Sequence, residues 1–253
     1  MKSSDHRTRV GAERRQRMRL RLIESALQVY AEQGLDRASI DDVIAAAGVS
    51  HGTFYNYFRT DAELAESVSE ALTTELIAQI EARVGVLANP AERIARGLRL
   101  YLGAAARFPL FAIFTAQAGL RAVSPNELLR EYLPRHISAG VEAGRFEAPD
   151  VSLAVDMIVG AALGAVHALS TTRVRQDYAE RVVTHILLGL GVSRATAFRL
   201  AHAPVEDIEP PADSLLARAG TWSPTAGVEG GARPGSLRDA PRVRHRAATA
   251  SRS

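Results

Sequence analysis

The stretch SIDDVIAAAGVSHGTFYNYF, Ser39 to Phe58, crowds hydrogen-bonding side chains onto a short length of chain. Ser39, Ser50, His51, Thr53, Tyr55, Asn56 and Tyr57 all donate or accept, and Gly52 stands bare among them. The chemistry these groups suit is recognition of a polar surface. An Asn amide can pair with an adenine edge, an imidazole can meet a guanine N7 or a phosphate, and hydroxyls suit phosphate oxygens. A residue without a side chain lets a partner approach the backbone closely.

The flanking residues predict how that surface is held. Ser39 is a natural N-cap, and Asp42 three residues on completes a capping box. Val43, Ile44 and Ala47 form the apolar face of the helix that follows. Gly48 stands where the chain must turn, and glycine takes the left-handed conformation without steric cost. Val49 then packs inward, and Ser50 caps a second helix running to Phe58. Phe54 and Phe58, four residues apart, share one face and anchor that helix. Upstream, Leu22, Ile23, Ala26, Leu27, Tyr30 and Ala31 recur at helical spacing until Gly34. Two short helices joined by a tight turn fit the DNA major groove. Taken alone, a helix–glycine–helix unit is equally at home in an ordinary all-α core.

The linked elements Tyr30-Ala31-Glu32-Gln33-Gly34, Ala38-Ser39-Ile40, Ala47-Gly48-Val49-Ser50, Gly52 to Phe58 and Leu64 resemble the N-terminal domain of the TetR family of transcriptional repressors. The resemblance implies that Ser50 to Phe58 is the recognition helix. It implies that Thr53 and Tyr55 hold phosphates, and that His51, Gly52, Asn56 and Tyr57 face the groove. It also implies that Ser39 offers its hydroxyl and helix N-terminus to a phosphate. Two departures stand out. Asp61 occupies a position where the family usually has Lys against the DNA backbone, with Arg59 nearby to compensate. Ile44 replaces a common Ala, which sets the two short helices slightly farther apart.

The chain has 253 residues and a formal net charge of +3, enough for a sizeable core in one or two domains. The positive charge is concentrated at the start. Residues 1–21 hold Lys2, Arg7, Arg9, Arg14, Arg15, Arg17, Arg19 and Arg21 against Asp5 and Glu13. Such an arm can lie along phosphates, or can simply be a solvated terminus. The chain has no cysteine, so disulfides, thiolate metal sites and Cys nucleophiles are excluded, in keeping with a cytoplasmic location. No apolar segment follows the N-terminal charges, so no secretory signal is expected. No G-x-S-x-G, H-E-x-x-H, phosphate loop or paired Glu-x-x-His occurs, and neither an enzyme nor a cofactor is expected.

The expected fold is all-α: a three-helix DNA-binding head and a helical body. We divide the chain into a basic arm (1–13), the helix-turn-helix head (14–60), the ligand-binding and dimerisation body (61–202) and a disordered tail (203–253). Helices are expected over 62–86, 91–107 after the Asn89-Pro90 cap, 111–120, 127–139 after Ser124-Pro125-Asn126, 153–169, 174–191 and 193–201. The segment LAVDMIVGAALGAVHALS is apolar, yet Asp156 and His167 interrupt it and no membrane contact is expected. Its small residues Gly160, Ala161, Gly164, Ala165 and Ala168 permit close helix approach. With Val182, Val183, Ile186, Leu187 and Leu190, they match the family's four-helix dimer interface. The resemblance further implies a pocket in the body for a small effector. Tyr101, Phe108, Phe111, Phe114, Gln117, Tyr132, His136 and His167 are the candidates, suggesting a lipophilic molecule with one or two polar handles. The expected protein is therefore a homodimer that binds a palindromic double-stranded operator and responds to an unidentified effector. A DNA-binding activator or an architectural protein without effector is the alternative.

After Ala203, the prolines and a shift to Gly, Ala, Ser and Arg mark the tail.

Overall fold

The computed structural model describes residues 2–34, 37–118 and 127–220, with side chains from residue 10 onward except 117, 118 and 127–130. Among the described residues there are eleven helices and no strand. The head comprises α1 (Lys2–Gln33), α2 (Ile40–Ala47) and α3 (His51–Tyr55). The residues expected to form a separate arm continue α1 back to Lys2. Leu22, Ile23, Ala26, Leu27 and Tyr30 on α1 are buried together with Val43, Ile44, Ala47, Phe54 and Phe58.

The body begins with α4 (Asp61–Val84), capped by Thr60, whose hydroxyl accepts from the Glu63 amide. The head and body share this helix. Its first turns put Leu64 and Val68 into the head core, and its later turns carry Leu72, Leu76 and Ile80 into the body. A boundary at residue 60 therefore falls at the start of a helix that serves both parts. There follow α5 (Pro90–Arg107), α6 (Pro109–Ala118), α7 (Glu127–Glu142), α8 (Val151–Thr171), α9 (Tyr178–Gly189) and α10 (Arg194–Ala201). Asn89 caps α5 with Pro90 at its first position, where a missing N–H costs nothing. Pro109 cannot continue α5, and α6 leaves at 106°. The expected start at Ser124 to Asn126 lies outside the described residues.

The expected helix 174–191 begins only at Tyr178. Residues before it form a turn in which Arg175 bonds the Asp177 carboxylate at 3.0 Å. α8 is long and apolar enough to cross a membrane, but Ala154, Ile158, Val159, Ala162, Ala165 and Val166 are buried against the other helices.

The disordered tail needs correction from Ala203 to Gly220. Here the chain returns along the body and ends in α11 (Leu215–Ala219), capped by Ser214. Ile208, Leu216 and Ala219 are buried. The Leu215 amide donates to Glu75 of α4 at 3.0 Å, and Arg218 lies 3.7 Å from Glu24 of α1. Proline and glycine content concealed three apolar side chains too widely spaced to register as a helical face. Residues 221–253 lie outside the described residues.

Candidate functional site

The head presents α3 on two caps and an apolar root. Ser50 Oγ accepts from the Thr53 amide at 3.1 Å, and Phe54 and Phe58 are fully buried with ring centroids 6.0 Å apart. Gly48 bridges α2 to α3 at φ 60°, the left-handed conformation in which a side chain would be strained. The helix ends earlier than expected. The Asn56 amide reaches Thr53 O at 3.3 Å and the Tyr57 amide reaches Phe54 O at 2.9 Å, an i→i+3 closure that ends α3 at Tyr55.

His51, Gly52, Tyr55 and Asn56 are exposed, while Thr53 and Tyr57 are half-buried. Tyr55 is 51% exposed and its ring stands edge-on to Phe54. A Cβ built on Gly52 would meet only Ser50 Oγ at 3.9 Å, so nothing within the chain demands glycine there. The structure thus brings all eight predicted head residues to the α2 and α3 ends of one domain.

Four of them are already engaged within the chain. The Ser39 hydroxyl donates to Asp42 at 2.6 Å rather than standing free for a phosphate, and the Ser39 amide donates to the same carboxylate at 3.0 Å. These bonds hold the Asp42 carboxyl below its ordinary value. Ser50 and Thr53 hydroxyls lie 2.9 Å apart. His51 Nε2 lies 2.9 Å from Asp41 of α2, both side chains being largely exposed. Sequence spacing did not reveal that α2 holds an acid against the exposed imidazole. In α1, Arg19 is a structural cation: it donates to Ser67 of α4 at 2.8 Å and lies 5.5 Å from the Phe58 ring centre.

The body contains a cavity of about 100 Å³ between α4, α5, α7 and α8. Of the predicted pocket residues, Tyr101, Tyr132 and His136 line it. Phe108, Phe111, Phe114 and His167 do not. Phe111 is buried behind Tyr101, ring centres 5.6 Å apart, and Phe114 packs edge-on to Tyr30 of the head at 5.4 Å. Phe108 lines a second cavity of about 190 Å³ beneath the C-terminal return, with Arg99, Arg107, Val205 and Ile208. His167 is exposed on the outer side of α8, and the side chain of Gln117 lies outside the described residues. An inward aromatic reports burial but not which interior space it enters, and this is why these readings fail.

Thr73 and Glu81 of α4 and Arg93 of α5 also line the cavity; helical periodicity marks the apolar stripe of each helix but not the polar residues beside it. Glu81 accepts from Arg135 at 2.7 Å and from His136 Nε2 at 2.8 Å. Burial pushes the Tyr101 phenol well above its ordinary value, with the Thr115 hydroxyl acting the other way.

A second surface is conspicuous. Leu153, Met157, Gly160, Ala161, Gly164 and His167 form an exposed stripe along α8, with Leu153 60% and Met157 46% exposed. A Cβ added to Gly160 or Gly164 would meet nothing within 4 Å.

A capped two-helix reader on a helical body with an internal apolar cavity defines a helix-turn-helix regulator. Known proteins share this arrangement. Residues 22–68 match the model for bacterial regulatory proteins of the tetR family, and residues 89–203 match a tetracyclin repressor-like C-terminal domain. The chain belongs to the TetR family of DNA-binding transcriptional regulators. It is 39% identical over 64 residues to the HTH-type transcriptional regulator YvdT of Bacillus subtilis, a match covering 25% of this chain and 33% of that relative. The structure of RolR in complex with resorcinol superposes with a TM-score of 0.70 at 28% identity, covering 78% of this chain and 100% of that one. The FadR regulator from Bacillus subtilis, in complex with stearoyl-CoA, gives a TM-score of 0.54 at 26% identity, covering 69% and 98%. Regulators of this family bind DNA, act as dimers and bind small-molecule effectors.

Proposed function

We propose that this chain is a homodimeric repressor that holds a two-fold symmetric operator and releases it when a small, largely apolar molecule enters the body cavity. One observation carries the reading. A single helix, α4, contributes Leu64 and Val68 to the core beneath α3, and Thr73, Ile77, Ile80 and Glu81 to the wall of the cavity. A ligand that binds best to one position of α4 therefore biases the position of the head, and with it the fit to DNA. Tyr55 and Thr53 serve as phosphate contacts, and Asn56 and His51 as base-edge contacts. The exposed α8 stripe, with the adjoining face of α9, is the dimer contact that sets two α3 helices about 34–36 Å apart, one turn of DNA. The protein acts in the cytoplasm. RolR and FadR, as relatives with resorcinol and stearoyl-CoA, support an effector-binding body.

Selecting bound duplexes from random DNA tests the reading. The expected result is a two-fold symmetric consensus bound by two chains and released by a compound that stabilises the body. Salt-independent binding or a consensus without symmetry would overturn it.

A further inference from the structure

The cavity has polar atoms at two levels, separated by an apolar waist. At one level Thr73 is 4% exposed and its Oγ1 has no partner. At the other, His136 is 6% exposed. Its Nε2 faces the Glu81 carboxylate, which can only accept, so Nε2 carries a proton and Nδ1 is the ring atom left for a ligand. That Nδ1 is buried and has no partner. Each such orphan is unfavourable unless a bound group satisfies it. Thr73 and Glu81 stand two turns apart on α4, a rise of about 12 Å at 1.5 Å per residue. Between them lie Ile77 and Ile80, faced by Ile94 and Leu98.

We infer that the cavity takes an elongated apolar molecule with a neutral hydroxyl at each end, one hydrogen-bonded to His136 Nδ1 and the other to Thr73 Oγ1. The inference rests on the effector reading above, and it specifies the ligand class. The competing chemistry is an anion. Arg93 lines the His136 end, with its Nε on the Leu87 carbonyl, and Arg135 is already held by Glu81.

The test uses the full chain and four probes in calorimetric titration: para,para′-dihydroxybiphenyl, para-hydroxybiphenyl, biphenyl and decanoate. Each hydroxyl is expected to raise affinity about tenfold, the equivalent of one net hydrogen bond. Thr73→Val and His136→Gln should each reduce diol binding to the level of the single phenol. The Gln amide keeps a donor on Glu81 while removing Nδ1. Thr73→Ser should retain full affinity, which separates loss of the hydroxyl from damage to the fold. Biphenyl binding as tightly as the diol, decanoate binding more tightly than either, or diol affinity indifferent to both variants would overturn the inference. Operator occupancy measured in the same samples separates the two claims. Tight diol binding with the operator still held counts against the effector reading alone. Operator release by decanoate, with affinity unchanged in both variants, counts against the ligand class alone.

Discussion

The Tyr30 hydroxyl on α1 donates a 2.9 Å hydrogen bond to Asp61, the first residue of α4. The acid pins the first helix of the head to the helix that leads into the body. Phe114 of α6, 5.4 Å from Tyr30 and edge-on, completes the joint. Tyr30→Phe should cost about 1 kcal/mol of stability at neutral pH, one net hydrogen bond. Calorimetric unfolding would measure it, and an unchanged midpoint would remove the joint from the account.

The same joint makes stability fall in alkali. Burial, and then the Asp61 charge, push the Tyr30 phenol above its ordinary value, and burial does the same for Tyr101. The unfolded chain gives up these protons near pH 10 while the folded chain keeps them. The contribution is therefore complete below about pH 10 and is lost as pH rises above it. The unfolding midpoint should drop above that point, less steeply in Tyr30→Phe; an equal slope in both proteins would refute the assignment.

Asp61→Asn keeps an acceptor for Tyr30 but removes a negative charge close to the DNA-facing side. Affinity for operator and for unrelated duplex should rise together by a few-fold at low salt, and the gain should shrink as salt screens it. A gain confined to the operator would mean that Asp61 takes part in base recognition.

Tyr55 and Asn56 should separate by the kind of loss they produce. Tyr55→Phe is expected to weaken binding to every duplex similarly, by about 1 kcal/mol, as befits a lost phosphate contact. Asn56→Ala is expected to relax preference at one position of each half-site, costing about 1–3 kcal/mol of discrimination. Selection from random DNA with each variant reads the difference; an unaltered consensus for Asn56→Ala would exclude direct readout.

Gly164 offers a clean test of the α8 stripe. A side chain there meets nothing within 4 Å in the single chain. Replacing a helical glycine by leucine should favour the helix by roughly 0.8 kcal/mol. Gly164→Leu should accordingly fold as well as the parent yet sediment as a monomer. A dimer that persists would place the interface elsewhere.

The C-terminal return is the least anticipated part of the molecule. Leu216 is fully buried where α11 meets α1 and α4. Leu216→Ala should cost about 2–5 kcal/mol, whereas a disordered tail would tolerate it without effect on the unfolding midpoint.

The sequence alone determined the head, because its instructions are local. The Ser39–Asp42 capping box, the left-handed Gly48, the Ser50 cap and the Phe54–Phe58 pair each act over three or four residues, within reach of a helical period. The all-α class and most helix starts were legible for the same reason. Only the tertiary structure decided that Tyr101, Tyr132 and His136 share a cavity while Phe111 and Phe114 do not, that Thr73 and Glu81 join them, and that Asp61 serves Tyr30. The return of residues 203–220 across α1 and α4 belongs with these. Each depends on how distant helices cross, and helical periodicity specifies only that a side chain points inward, leaving the choice of neighbour to the packing of the whole core.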